Sequence, residues 1–310
     1  AAAARLEGEG AAIDAAVVDV GDAAALRAAI DAGKHVYTEK PIATTLADAV
    51  DIARAARARG IVHGVVQDKL FLPGVIKLRR LVRSGFFGRI LSVRLEFGYW
   101  VFEGDWQSAQ RPSWNYRAED GGGIVLDMFP HWRYLLEDVF APVRALYVRT
   151  TTHIPFRWDE QDRRYPATAD DAAYAVVELD GGIIASVNSS WAVRVNRDEL
   201  VEIQVDGTEG SAVAGLRQCK VQHRTMTPKP VWNPDLPASD DFPAQWRTVP
   251  DNTEFDNGFK AQWASFLAHA ARGEPFPWDL VDGAKGVQLA QLAYESSTGG
   301  IRVDVPDLEI

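Results

Sequence analysis

Cysteine is almost missing from this chain: Cys219 is the only one in 310 residues. A lone thiol excludes an internal disulfide and any metal centre built from cysteines, and it reads as a buried bystander in a reducing compartment. Apolar runs are short. None reaches the roughly 18 residues that a membrane-spanning helix needs. The alanine-rich start, Ala1 to Ala4 followed by Arg5, Glu7 and Glu9, lacks the charged front and apolar middle of a secretion signal. The expected location is therefore the cytoplasm, with no membrane partner. Basic residues are outnumbered and scattered: 33 Lys and Arg stand against 43 Asp and Glu, a formal charge of −10. No basic run offers itself to nucleic acid. His63, His153, His223 and His269 stand alone without ligand spacing, so no metal is expected. No Gly-x-Gly-x-x-Gly precedes Ala15, and no acidic residue follows such a loop to hold a ribose, so the pyrophosphate cradle of a dinucleotide site has no visible source.

What is present is ample core material, 47% apolar over a length that suits about two domains. A short apolar run over residues 15–20, Asp22 as a cap, a helix to Ala32 and the stop at Gly33 form one strand–helix unit. Residues 35–38 read as a second strand, 45–59 as an amphipathic helix ended by Gly60, and 61–66 as a third strand. Strands alternating with helices imply right-handed parallel crossovers, hence part of a Rossmann-type α/β sheet over residues 1–68 that lacks its first strands. From residue 69 the pattern becomes α+β. A helix over 74–82 leads through Gly85 and Gly88 into alternating residues 90–99, then a long irregular segment over 101–120, rich in Trp, Arg and acids. Gly121-Gly122-Gly123 opens a helix to about Asp138. Strands over 145–151, 172–179, 183–193 and 199–205, with turns at 180–182 and 207–210, predict an open antiparallel sheet. Residues 225–251 read as a surface excursion. Helices over 257–271 and 280–297 close the chain and are expected to pack back on the first domain.

Two motifs carry chemistry. Glu39-Lys40-Pro41 stands at the carboxyl end of the strand over 35–38, where ligands of open parallel sheets gather. By itself the tripeptide also fits a solvated turn. After the triple glycine, Asp127 and His131 are four apart and share one helix face. A carboxylate beside an imidazole suits a general base, because histidine ordinarily titrates near neutrality; an ordinary satisfied helix pair fits as well. Pro130 removes a backbone donor between them and predicts a kink. Trp100, Trp106, Trp114 and Trp132 offer flat faces on which sugars stack, or core packing.

Taken together, Glu-Lys-Pro after a βαβ unit and Gly-Gly-Gly with Asp and His four apart some 90 residues later resemble the Gfo/Idh/MocA oxidoreductases. The likeness covers nearly the whole chain, including residues 32–36, Ser189-Ser190-Trp191, Gly207-Thr208-Glu209-Gly210-Ser211 and Asp282-Gly283 in the last helix. It implies an NAD(P)-dependent enzyme moving a hydride between a sugar or polyol alcohol and nicotinamide, with NAD or NADP as cofactor. It further implies Lys40, Asp127 and His131 as catalytic residues, which with Tyr116 also hold substrate. Glu39, Lys40, Gln67, Trp114 and Arg117 would line the cofactor site. A homo-oligomer formed through the antiparallel sheet is also implied. Without the glycine loop, a catalytically silent fragment or ligand-binding relative is the alternative.

Overall fold

The computed structural model describes residues 23–237 and 240–310; the strand expected over residues 15–20 and its cap Asp22 lie outside them. Helix α1 (Ala23–Asp31) turns Leu26 and Ile30 inward, one turn apart. Strands β1 (Val36–Thr38) and β2 (His63–Val65) pair in parallel, joined by the crossover helix α2 (Leu46–Arg59). The ends of α2 follow from local chemistry. Thr45 Oγ1 accepts the Asp48 N–H at 3.2 Å, and Gly60, at φ 63°, closes the helix in the left-handed region that favours glycine.

Helix α3 (Pro73–Arg83) begins with proline in its first turn, where a missing N–H costs nothing. Strand β3 (Ile90–Gly98) follows, then helix α4 (Ile124–Val139), which is continuous through Pro130. Next come β4 (Val143–Thr151), the small hairpin of β5 (Phe156–Trp158) and β6 (Arg164–Pro166), and the strands β7 (Ala172–Leu179), β8 (Ile183–Ser190), β9 (Val201–Gly207), β10 (Gly210–Ala214) and β11 (Cys219–His223). Among its described residues, the segment over 224–257 gives the sheet one short strand, β12 (Arg247–Thr248), besides two 3-10 turns at Arg224–Met226 and Pro243–Gln245. Helices α5 (Gly258–Arg272) and α6 (Leu280–Gly299) and strand β13 (Val303–Asp304) end the chain.

The large sheet has nine strands in the order β12-β11-β10-β9-β3-β8-β7-β4-β13. It is mixed where antiparallel pairing was expected throughout: β3 and β8 run parallel, with Leu95 opposite Val187. Alternation along each strand specifies which face is buried, but it does not encode which strand lies alongside. One face carries the large core, including Leu95, Ile124, Phe129, Leu136, Val187 and Ile203, under α4. Cys219 is buried as expected, and burial pushes its thiol up to about 12. Across the other face, Tyr147, Tyr174, Val176 and Ile184 stay exposed.

Helix α6 belongs to both cores. Leu280, Ala284 and Val287 pack with Ile30, Ile42, Ile52 and Val65 of the small lobe, while Leu289, Ala290 and Ala293 enter the large core. Its small residues let neighbours approach closely: a Cβ on Gly283 would meet Ile42 at 2.7 Å, and one on Gly286 would meet Pro130 at 3.0 Å. Helix α5 lies against the small lobe as well: Phe266 stacks on Tyr37 of β1 at 4.6 Å, and Gln262 Nε2 donates to the Val65 carbonyl at 3.3 Å.

Candidate active site

Three segments converge where the two lobes meet. The loop after β1 brings Lys40, across a cis Lys40–Pro41 peptide, to the start of α4. There the Lys40 ammonium donates to Asp127 Oδ1 and to the Asp127 backbone oxygen, each at 2.7 Å. From the irregular segment between β3 and α4, Arg111 donates to the other carboxylate oxygen, Oδ2, at 2.7 Å. Burial pushes the Asp127 carboxyl up, but Lys40 and Arg111 outweigh it and hold the group below the usual carboxylate range. Asp127 is therefore a fixed anion between two cations.

The triple glycine makes this approach possible. Gly121 and Gly123 have φ of 77° and 121°, and a Cβ on Gly122 would meet the Trp114 carbonyl oxygen at 2.5 Å. Gly123 offers α4 no capping side chain. Asp170 serves instead: its Oδ2 accepts the Val125 N–H at 2.8 Å and its backbone oxygen the Ile124 N–H at 3.0 Å, while Tyr294 donates to Oδ1 at 2.8 Å.

His131 lies one turn beyond Asp127, yet the two side chains have different partners. The imidazole is 5% exposed, and its Nδ1 is 2.6 Å from the Tyr134 hydroxyl and 3.9 Å from Asp68 Oδ1. Burial first, then Lys40 and Lys69, pushes its pKa well below the ordinary value. The ring is neutral at physiological pH, as a proton acceptor must be.

The remaining expected residues separate into two groups. Trp114, half exposed, lines a cleft of about 420 Å³ together with Lys40, Pro41, Asn115, Gly122 and Asp127. Glu39 is exposed beside it. Gln67 is buried at the end of β2, where its backbone N–H donates to Gln262 Oε1 at 2.6 Å. Arg117 bonds Ser113 Oγ at 3.1 Å and lies 4.3 Å above the Tyr165 ring, so its guanidinium is already engaged. Tyr116 is buried beneath Arg157, 3.9 Å from its ring, and its hydroxyl has no hydrogen-bond partner among the described residues. Of the tryptophans near the motif, Trp132 is buried and donates to Ser189 Oγ at 2.9 Å, whereas Trp106 is 72% exposed. Sequence reasoning missed Arg111, Asp68 and Tyr134. The only available signal was the spacing of Tyr134, three residues after His131 on the same helix.

A nicotinamide dinucleotide fits this place. The cleft opens beyond the carboxyl ends of parallel strands, has the size of a small-molecule site, and combines one flat indole wall with a fixed cation and anion. Residues 9–66 match the oxidoreductase family with an NAD-binding Rossmann fold, and residues 75–213 match the GFO/IDH/MocA C-terminal domain. The D-xylose dehydrogenase of Paenarthrobacter nicotinovorans is 57% identical over 292 residues, which cover 93% of this chain and 75% of that protein. The chain belongs to the Gfo/Idh/MocA oxidoreductases. The 1,5-anhydro-D-fructose reductase of Ensifer adhaerens is 28% identical over 88% of this chain and 75% of its own length. Among solved structures, a levoglucosan dehydrogenase in complex with NADH and L-sorbose shares the fold at a TM-score of 0.76 and 22% identity, covering 94% of this chain and 79% of that one. The Gfo/Idh/MocA membership makes this chain an NAD-binding oxidoreductase acting on CH–OH groups.

Proposed function

We propose that this cleft oxidises a CH–OH group of D-xylose or a closely similar aldose, with His131 as proton acceptor and Lys40 and Asp127 fixing the reacting oxygen. The observation that carries the reading is the Lys40–Asp127 pair in the wall of the cleft, with the buried His131 one helical turn beyond Asp127 and close enough to Lys40 to feel its charge, in a chain 57% identical to a D-xylose dehydrogenase. The proton inventory supports the division of labour. An ammonium has three N–H groups; two of those on Lys40 go to Asp127, leaving one for the substrate oxygen. That third donor stabilises negative charge as the hydroxyl proton leaves for the neutral imidazole. The dinucleotide, when bound, supplies the acceptor for the hydride from the same carbon. Trp114 contributes a flat apolar surface to the cleft, and Glu39 stands exposed beside it. The absent glycine loop is the observation on the side of a silent ligand-binding relative, and titration of NADH followed by fluorescence separates the two readings.

His131→Asn keeps a small polar side chain but removes the base. Turnover of D-xylose should fall by roughly 10²- to 10⁴-fold, the usual worth of acid–base catalysis, while dinucleotide affinity measured by fluorescence titration stays the same. A variant that retained full turnover would sink the assignment.

The exposed apolar stripe of Tyr147, Tyr174, Val176 and Ile184 supports a second part of the proposal, that two copies associate through the outer face of the large sheet. Across neighbouring strands of this face Tyr147 lies opposite Val176, and Val176 opposite Ser186. This leaves an amphipathic surface suited to a like surface.

A further inference from the structure

We infer that Asp68, acting through Tyr134, holds His131 as its Nδ1–H tautomer, which leaves Nε2 bare to accept the substrate proton; the inference rests on the reading of His131 as the base. Nδ1 is engaged by the Tyr134 hydroxyl at 2.6 Å, so Nε2 is the ring nitrogen left for substrate. The tautomer then depends on where the Tyr134 proton points. Tyr134 keeps that proton, because burial and the Asp68 charge push its pKa well above the ordinary value. Its oxygen already accepts the Lys69 N–H at 3.3 Å.

Two arrangements are possible. If Tyr134 donated to Nδ1, the buried Asp68 Oδ1, which has no hydrogen-bond partner among the described residues, would stay unsatisfied beside it. If Tyr134 turns its proton to Asp68 instead, the carboxylate gains a donor and the tyrosine oxygen accepts Nδ1–H. Satisfying every buried polar group selects the second arrangement. The carboxylate, 3.9 Å from Nδ1, also favours a proton on that nitrogen directly. Lys69, bonded to Asp68 Oδ2 at 2.5 Å, fixes the carboxylate from its other side.

In alcohol oxidation the hydroxyl O–H bond breaks to Nε2, the C–H electron pair leaves with its hydrogen as hydride for the nicotinamide, and C=O forms. The imidazolium that results bears its charge beside Asp68, through Tyr134, while Lys40 and Lys69 oppose it. Asp127 and Glu39 are the other ionisable groups near this cluster. Asp68 and Tyr134 are thus positioning residues.

The tautomer can be read without turnover, by ¹⁵N NMR of histidine-labelled enzyme assigned with the His131→Asn variant. Protonated Nδ1 and bare Nε2 are expected; protonated Nε2 in the wild-type enzyme overturns the inference even if His131 proves essential. Tyr134→Phe and Asp68→Asn should each lower kcat about ten- to a hundredfold, part of what acid–base catalysis supplies, with KM for the sugar within about twofold. Loss of the Asp68 charge makes His131 harder to protonate, so the acidic limb of the kcat profile, below which the base is already protonated, moves to lower pH in Asp68→Asn. A limb that does not move would show a merely structural role and overturn the proposal. Loss of activity in His131→Asn tests the reading of the base separately.

Discussion

Asp127 owes its charge to two cations that reach it from opposite sides, one by way of β1 and one by way of an irregular loop. Arg111→Met removes the second. The folded-state pKa of Asp127 lies below its unfolded value, so its ionisation stabilises the fold above the ordinary carboxylate range. That stabilisation disappears as pH falls through the depressed value. Without Arg111 the value rises, and the loss sets in at higher pH. Thermal melts between about pH 6 and pH 3 should show the acid-induced drop displaced upward in the variant. At neutral pH the lost charged hydrogen bond costs about 1.5–3 kcal/mol, and an unaltered acid profile would remove Arg111 from the site. Lys40, Asp127 and His131 stand out in the sequence only when two short motifs are taken together with the family resemblance, because either motif alone also fits a solvated turn or a satisfied helix pair. Arg111 does not stand out at all, because an irregular loop has no period from which the reach of a side chain can be read. Arg117 shows the same difficulty from the other side: its neighbour Trp114 lines the cleft, while its own guanidinium settles on Tyr165.

Helix α4 carries the site, and its first turn lacks the capping side chain that helices of this kind usually have. Asp170, some 45 residues later, takes that place and also receives the Tyr294 hydroxyl from α6. Asp170→Ala leaves the Val125 N–H and a buried hydroxyl unpaired. A stability loss of about 1–3 kcal/mol is expected, measurable by urea denaturation. A fall in kcat should accompany it, because Asp127 sits in the turn that loosens. Such a cap is invisible in the sequence, where helix starts are sought in the residue just before them and here only glycines are found. Strand positions were far more legible: alternation placed β7 on residues 172–179, where it lies. Neighbour order was not, since the parallel pair β3 and β8 is specified by packing across the whole sheet.

Over the molecule as a whole, the relative placement of Lys40 and Asp127 depends on a helix that begins at Leu280, well beyond either motif along the chain. Gly283 packs against Ile42, two residues beyond Lys40, with no room for a Cβ. Gly283→Ala should therefore cost about 1–3 kcal/mol from overpacking. It should also lower kcat more than the stability loss suggests, since a displacement near 1 Å in a catalytic pair can cost about a hundredfold. A variant with wild-type kcat would show that the loop absorbs the added methyl. On the opposite side, Val176→Glu places a charge in the middle of the exposed sheet stripe. If two copies meet there, sedimentation velocity should show the variant shifted to monomer with kcat per subunit largely kept; an unshifted profile rules out this face.

Helix α6 acts as a splint. Because its first half is embedded in one lobe and its second half in the other, the lobes have no free joint about which to swing like jaws. The loop after β1 and the start of α4 are thereby tied to one frame, so the spacing of Lys40 and Asp127 is set by the packing of this one helix.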